Sequence, residues 1–305
     1  MASGDRPREI AQSQELPDAD WEIVDAATVL QELEERAAAA EGDVSGLISP
    51  HHFWDSDWGE DWRRMWDAEG ALHVTRSYPL APDPDAPRLA ICEVPYAPKL
   101  HICTGGVIWP AAFALVRFLY EQRQVLPFGT VDSIVEIGAG CGAPGICAAV
   151  LARRPDCRVF LTDENIGVLA NLRRIVRLNA EQVTAKVEVL PFAWEGYLSG
   201  AAPAPVEGTN LLLGSDVIWG ERGPVVGRLA RRLLRPGGTM VLSAELGRHG
   251  LDLFDDFIHT CAEEDDDEDQ EEQAGSRRCA FDVEERHMES QGRPCIIYLC
   301  RRLGL

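Results

Sequence analysis

Lysine is almost missing from this chain: it stands only at Lys99 and Lys186, and arginine supplies the rest of the basic charge. Lys and Arg together number 29 against 50 Asp and Glu, a formal net charge of -21. Such a surface lacks the basic footprint that a phosphate backbone requires, so nucleic acid is disfavoured as the main partner and a basic protein surface is favoured. A basic start followed by an apolar block is also missing between Met1 and Leu30, and the longest apolar run, Gly105 to Val116, falls short of the roughly 20 residues that span a bilayer. These absences predict a soluble monomer of the cytoplasm, with the nucleus also open to it, and no membrane partner. The 9 cysteines include no C-x-x-C pair, which speaks against a zinc site or a disulfide framework and leaves them as reduced core residues. Cys141 reads as a small buried side chain rather than a nucleophile, since no histidine lies near it in sequence.

What is present suits one large domain with additions, or two small ones, for 305 residues can bury a substantial core. Trp21 to Ala40 has apolar residues at helical spacing, which predicts a helix. Trp54, Trp58, Trp62 and Trp66 recur every four residues, so on a helix they form one aromatic stripe that docks it onto its domain. From His73 the pattern changes to the alternating runs LHVTRSYPL, RLAICEVPY and KLHICTGG, which predict a small antiparallel sheet and make His101 a structural residue. Residues 1–104 thus form an amino-terminal extension of helices and a small sheet.

From residue 105 strand and helix alternate. Pro110 opens a helix that Trp109 caps. Helices follow at 144–153, 166–179, 223–234 and 251–261, and strands at 158–162, 186–190, 209–215 and 239–244, the last entered through the tight turn RPGG. Two closing strands, 278–285 and 295–301, read as an antiparallel pair. The fold class is α/β, a Rossmann-like doubly wound sheet. The run EEDDDEDQEE from Glu263 to Glu272 cannot form a core and reads as a solvated loop insertion over 262–276.

The stretch SIVEIGAGCGAPG, Ser133 to Gly145, is the centre of that domain. A buried strand runs into Gly138, Gly140 and Gly142 and then into helix formers, which points free N–H groups and a positive dipole into a crevice. Gly138, Gly140 and Ala143 also satisfy the loose dinucleotide pattern G-x-G-x-x-G/A, so spacing alone leaves the cofactor open. Glu136, two residues before the first glycine, is placed to receive an ammonium, and Asp163, ending the next strand RVFLTD, to bind both hydroxyls of a ribose.

The pattern E-x-G-x-G-x-G resembles the S-adenosylmethionine turn of class I methyltransferases. With four further stretches in order, the carboxyl-terminal two thirds is similar to the seven-stranded protein-lysine methyltransferases of family 16. GGVIWPAA is similar to a segment whose tryptophan, here Trp109, lies against the cofactor. EIGAGCGAPG supplies Gly138, Ala139 and Gly140 for the methionine end, and LTD supplies Asp163. LPFAW matches a segment whose tryptophan, here Trp194, borders the adenine. LLLGSDVIW brings Ser215 to the cofactor and sets Asp216 and Trp219 at the family's D-x-x-Y/F positions. Trp219 replaces the usual Tyr or Phe, and Ala193 stands where a polar residue is common.

The resemblance implies an S-adenosylmethionine-dependent N-methyltransferase acting on a lysine of a protein substrate of chaperone or translation-factor type. The same residues admit a histidine ring or a small amine as acceptor, or a scaffold of this fold that binds without turnover. In the enzyme reading Asp216 orients the amine and balances its charge, while Trp219 walls the pocket. Glu245 and His249 fall at the same sheet edge without an assigned role, and no metal is implied.

Overall fold

The computed structural model describes residues 22–23, 62–66, 72–96, 104–260 and 280–304. They form two sheets. The small one joins β1 (Glu22–Ile23), β2 (Trp62–Trp66), β3 (Leu72–Pro79) and β4 (Arg88–Tyr96) in that order, all antiparallel. The large one holds β5 (Ser133–Glu136), β6 (Arg158–Asp163), β7 (Lys186–Pro191), β8 (Thr209–Ser215), β9 (Leu234–Glu245), β10 (Phe281–Ser290) and β11 (Arg293–Arg302). Its order is β10-β11-β9-β8-β5-β6-β7, parallel from β9 to β7 and antiparallel through the terminal hairpin. From β5 the chain winds outward to β6 and β7, then crosses back to β8 on the other side. The switch point lies between β5 and β8, and sheets of this kind bind ligands in the crevice beyond the carboxyl ends of such strands.

Both faces of the large sheet are covered, which is why its central strands are apolar without interruption. Ile134, Leu211 and Leu213 point into one apolar cluster, with α1 (Pro110–Glu121), α2 (Ala143–Ala152) and α3 (Ile166–Leu178). Val135 and Leu212 point into the other, which α5 (Gly223–Leu233) and α6 (Leu251–Thr260) cover, with the short α4 (Trp194–Leu198) at its margin. Pro110 at the first turn of α1 loses no hydrogen bond there, and the Asn165 side chain caps α3 by accepting from Gly167 N at 2.9 Å and Val168 N at 3.1 Å. Among the described residues no helix is long and apolar enough to cross a membrane.

The small sheet is built into the domain. The Asn179 side chain takes the place of a neighbouring strand for Ala90, accepting from its N–H at 2.9 Å and donating to its carbonyl at 2.8 Å. Asn171 Nδ2 donates to Cys92 O at 2.7 Å, and Leu80, Leu89 and Ile91 lie in the same cluster as Ile134. Buried Glu93 accepts from Ile108 N at 3.1 Å and from the Tyr78 hydroxyl at 3.0 Å, with Arg76 Nε 3.8 Å away. The strand that carries Glu93 therefore holds the segment leading into Trp109.

Several sequence expectations change. Trp62 and Trp66 lie on β2, not on a helix, because residues four apart share a face of a strand as well as of a helix. Trp54, Trp58, the acidic run and His101 lie outside the described residues, as does most of the helix expected from Trp21 to Ala40; Glu22–Ile23, at its start, is strand. KLHICTGG ends in a 3-10 turn, Thr104–Gly106, rather than a strand. RPGG is not a turn before a strand but a bulge inside β9: β8 pairs Thr209 with Leu234 and Leu211 with Thr239, and Gly237 absorbs the extra chain at φ +76. The closing hairpin is longer than expected, turning at Gln291 and Gly292, both with positive φ.

Candidate functional site

At the switch point β5 ends on Glu136 and the chain passes through Gly138 at φ +56. A Cβ there would stand 2.9 Å from Val217 Cγ1 and 3.4 Å from Trp194 Cζ2, so a larger residue would both strain the backbone and fill the crevice. The turn is tied to its neighbours: Ile137 N donates to Leu213 O at 2.9 Å, and Ala139 N to Thr162 O at 2.9 Å. Asp163, at the end of β6, accepts from Gly140 N through Oδ2 at 3.1 Å and from Asn165 N through Oδ1 at 3.0 Å. Its carboxylate is thereby fixed beside the turn, and each oxygen keeps a lone pair for a further donor.

These groups border a cavity of about 620 Å³, within the size range of small-molecule sites. Trp109, Gly138, Ala139, Gly140, Asp163, Trp194, Ser215, Asp216 and Trp219 all line it. Trp109 donates from Nε1 to Thr104 O at 3.0 Å, which sets its ring at the start of α1. Trp194 is buried at the start of α4 with the Arg222 guanidinium 5.5 Å from its ring centroid. Trp219, 69% exposed, stands at the mouth.

Glu136, expected to receive a ligand ammonium, is not among the residues lining the cavity but lies fully buried beneath the turn. Its Oε2 accepts from Gly145 N at 3.0 Å, an approach that only glycine allows, because a Cβ on Gly145 would come within 2.5 Å of that oxygen. Oε1 has no hydrogen-bond partner among the described residues. Burial pushes the carboxyl up to about 8, against the pull of the Gly145 N–H and with a smaller push from Asp163. It braces the base of the glycine turn instead of lining the cavity.

Asp216 follows the last residue of β8 in the left-handed region, φ +55, with its N–H on Ser243 O at 2.8 Å. Aspartate tolerates that conformation better than most side chains, and the turn swings the carboxylate toward the cavity. There it meets Arg248, which sequence reasoning did not single out. Arg248 donates from Nε to Oδ1 at 2.9 Å and from Nη2 to Oδ2, a two-pronged pair. Glu245 Oε2 lies 3.8 Å from the same guanidinium, and the Trp109 ring 5.4 Å. Burial raises the Asp216 carboxyl while Arg248 draws it back down. Arg248 sits between Glu245 and His249, both noticed at this sheet edge, but only the tertiary arrangement turns it onto Asp216. Phe192 and Arg222 also border the cavity without a sequence signal.

Comparison with known proteins agrees with this arrangement. Residues 99–244 match the family model of methyltransferase family 16, described as lysine methyltransferase. The histone-arginine methyltransferase METTL23 of Mus musculus is 31% identical over 132 residues, 43% of this chain and 47% of that protein. The protein-lysine methyltransferase METTL21E of Mus musculus is 29% identical over 38% of this chain and 46% of its own length. The protein N-lysine methyltransferase METTL21A of the same species is 34% identical over 38% and 48%. The chain spans about half the length of the relatives it matches. That match takes in the glycine turn and the acid that ends β6 at the switch point of a seven-stranded sheet, so residues 99–244 are similar to methyltransferase family 16.

Proposed function

We propose that the chain is an S-adenosylmethionine-dependent protein N-methyltransferase whose acceptor is a lysine side chain. One observation carries this reading: residues from five separate stretches, Trp109, Gly138 to Gly140, Asp163, Trp194 and Ser215, line a single cavity that Asp216 and Trp219 also border. They fit the cofactor. Trp194 presents an aromatic surface for a base, Asp163 keeps lone pairs for ribose hydroxyls, and Gly138 leaves open the space that a side chain would fill. When bound, S-adenosylmethionine supplies a methyl group already activated on a sulfonium. The work left to the protein is alignment and exclusion of water, with alignment able to contribute on the order of 7 kcal/mol or more. Asp216 accepts a hydrogen bond from the acceptor nitrogen and balances its charge, and Trp219 walls the mouth and faces the cation with its ring.

Lysine is favoured by the family's description and by the relatives named as lysine methyltransferases. A second reading, arginine, is favoured by METTL23 and by the two-pronged hold of Asp216 on a guanidinium. The substrate is a protein with a basic surface, met by a monomer in the cytoplasm. Incubation of the full chain with labelled S-adenosylmethionine and cell extract tests this: label is expected in a protein band, with methyl-lysine after hydrolysis. Asp216→Ala should retain cofactor binding and lose transfer by about 100-fold or more. Methyl-arginine would establish the second reading, and label confined to the low-mass fraction would overturn the protein acceptor. Binding of NAD without S-adenosylmethionine would overturn the cofactor.

A further inference from the structure

The Asp216 side chain is 8% exposed and already holds a cation, so an acceptor nitrogen finds the charge of that carboxylate balanced while Arg248 stays in place. The surroundings of the guanidinium are those that any cation would seek at this spot: two oxygens of Asp216 accepting from it, Glu245 at 3.8 Å and the Trp109 ring at 5.4 Å. Arg248 comes from the short loop between β9 and α6, whose backbone is pinned by Leu246 N on Pro294 O at 2.8 Å and by Gly220 N on His249 O at 2.9 Å. The backbone is held and the long side chain is the part that can leave, with 22% of it open to solvent.

We infer that Arg248 is an internal stand-in for the acceptor's cation, a specificity-determining residue that yields its place on Asp216 and Glu245 only to another cationic nitrogen. This rests on the reading of the cavity as a methyl-transfer site. A buried carboxylate left without a partner is costly, whereas exchange of one cation for another keeps it paired throughout. A cationic side chain can make that exchange. A neutral or anionic acceptor leaves the Arg248 pair closed and is refused, which is selection by the unfavourable alternative. The pinned Gly220–His249 contact sets this exchange next to Trp219, so the entering group passes the aromatic wall as Arg248 withdraws.

The test uses the full chain as wild type, Arg248→Ala and Arg248→Ala with Asp216→Asn, with ethylguanidine as the probe. Binding of S-adenosylhomocysteine is measured first by calorimetry; its absence counts against the cofactor reading, and the probe titration is then run on the protein alone. Arg248→Ala is expected to bind ethylguanidine at least about tenfold more tightly than wild type and to melt at higher temperature with it, a gain that Asp216→Asn removes. Equal binding by wild type and Arg248→Ala, or a gain that survives Asp216→Asn, overturns the inference. Methyl transfer to extract protein separates a stand-in from a fixed positioner of Asp216. A stand-in predicts a lower apparent KM for extract in Arg248→Ala and inhibition of that variant by ethylguanidine. Transfer that is lost in Arg248→Ala and restored by ethylguanidine overturns the inference. Should Arg248→Ala fail to fold, Arg248→Gln, which keeps most of the stem, is judged by the same outcomes.

Discussion

Replacement of Glu136 by glutamine isolates one buried carboxyl and carries a definite sign. Glu136 is fully buried, its Oε2 accepts from Gly145 N, and its carboxyl is pushed from 4.5 to about 8, first by burial. In the unfolded chain it titrates near the ordinary glutamate value. Between about 4.5 and 8 the unfolded state therefore sheds a proton that the folded state keeps, so wild-type stability falls as pH rises through that window and levels off above it. At about 1.4 kcal/mol per pH unit the span sums to an upper bound on the order of 5 kcal/mol, and relaxation of the surroundings brings the expected loss to a few. Glutamine matches the protonated acid in shape, can accept from Gly145 N, and does not titrate. Urea melts of wild type and Glu136→Gln at pH 5, 6.5 and 8 should give curves that differ little at pH 5 and diverge as pH rises, with the glutamine variant ahead at pH 8. Other carboxyls titrate in both proteins and cancel in the difference. A difference that is constant with pH, or that moves in favour of wild type as pH rises, would refute the buried neutral carboxyl. Because Glu136 does not border the cavity, S-adenosylhomocysteine affinity at pH 5 should change by less than about threefold, on the order of 0.6 kcal/mol.

Three further outcomes are expected. Glu93→Ala takes the carboxylate away from Arg76 and leaves the Ile108 N–H without its acceptor, so thermal melting should show a loss of about 3–5 kcal/mol, while Glu93→Gln, able to make both hydrogen bonds, should lose less. Gly138→Ala forces a Cβ to within 2.9 Å of Val217 at φ +56, and calorimetry should show cofactor affinity reduced by about tenfold or more together with roughly 1 kcal/mol of lost stability. Trp219→Ala removes a side chain that is 69% exposed, so stability should stay within about 0.5 kcal/mol of wild type while transfer to extract protein drops by about tenfold or more.

By itself the sequence determined what local chemistry dictates. Continuous apolar runs at Ser133, Arg158 and Thr209 specify strands buried on both faces, and these elements stand where the pattern put them, to within a residue or two at each end. The glycines after Glu136 specify a turn that no side chain could make, and strand and helix in alternation allow little but a parallel sheet. The order of five short stretches was enough to bring Trp109, Gly138, Asp163, Trp194, Ser215, Asp216 and Trp219 to one cavity. Tertiary structure decided what depends on neighbours remote in the chain. A four-residue spacing at Trp62 and Trp66 suits a helix and a strand alike, and pairing with β3 chose the strand. Glu136 looks like a ligand for an ammonium until burial beneath Gly145 removes it from the cavity, because exposure is a property of packing rather than of a motif. Arg248 and Asp216 stand 32 residues apart, and no periodicity records that their charges meet. Their pairing follows from the sheet order that sets β8 beside β9, and so the state of the Asp216 carboxylate was decided only when the fold closed.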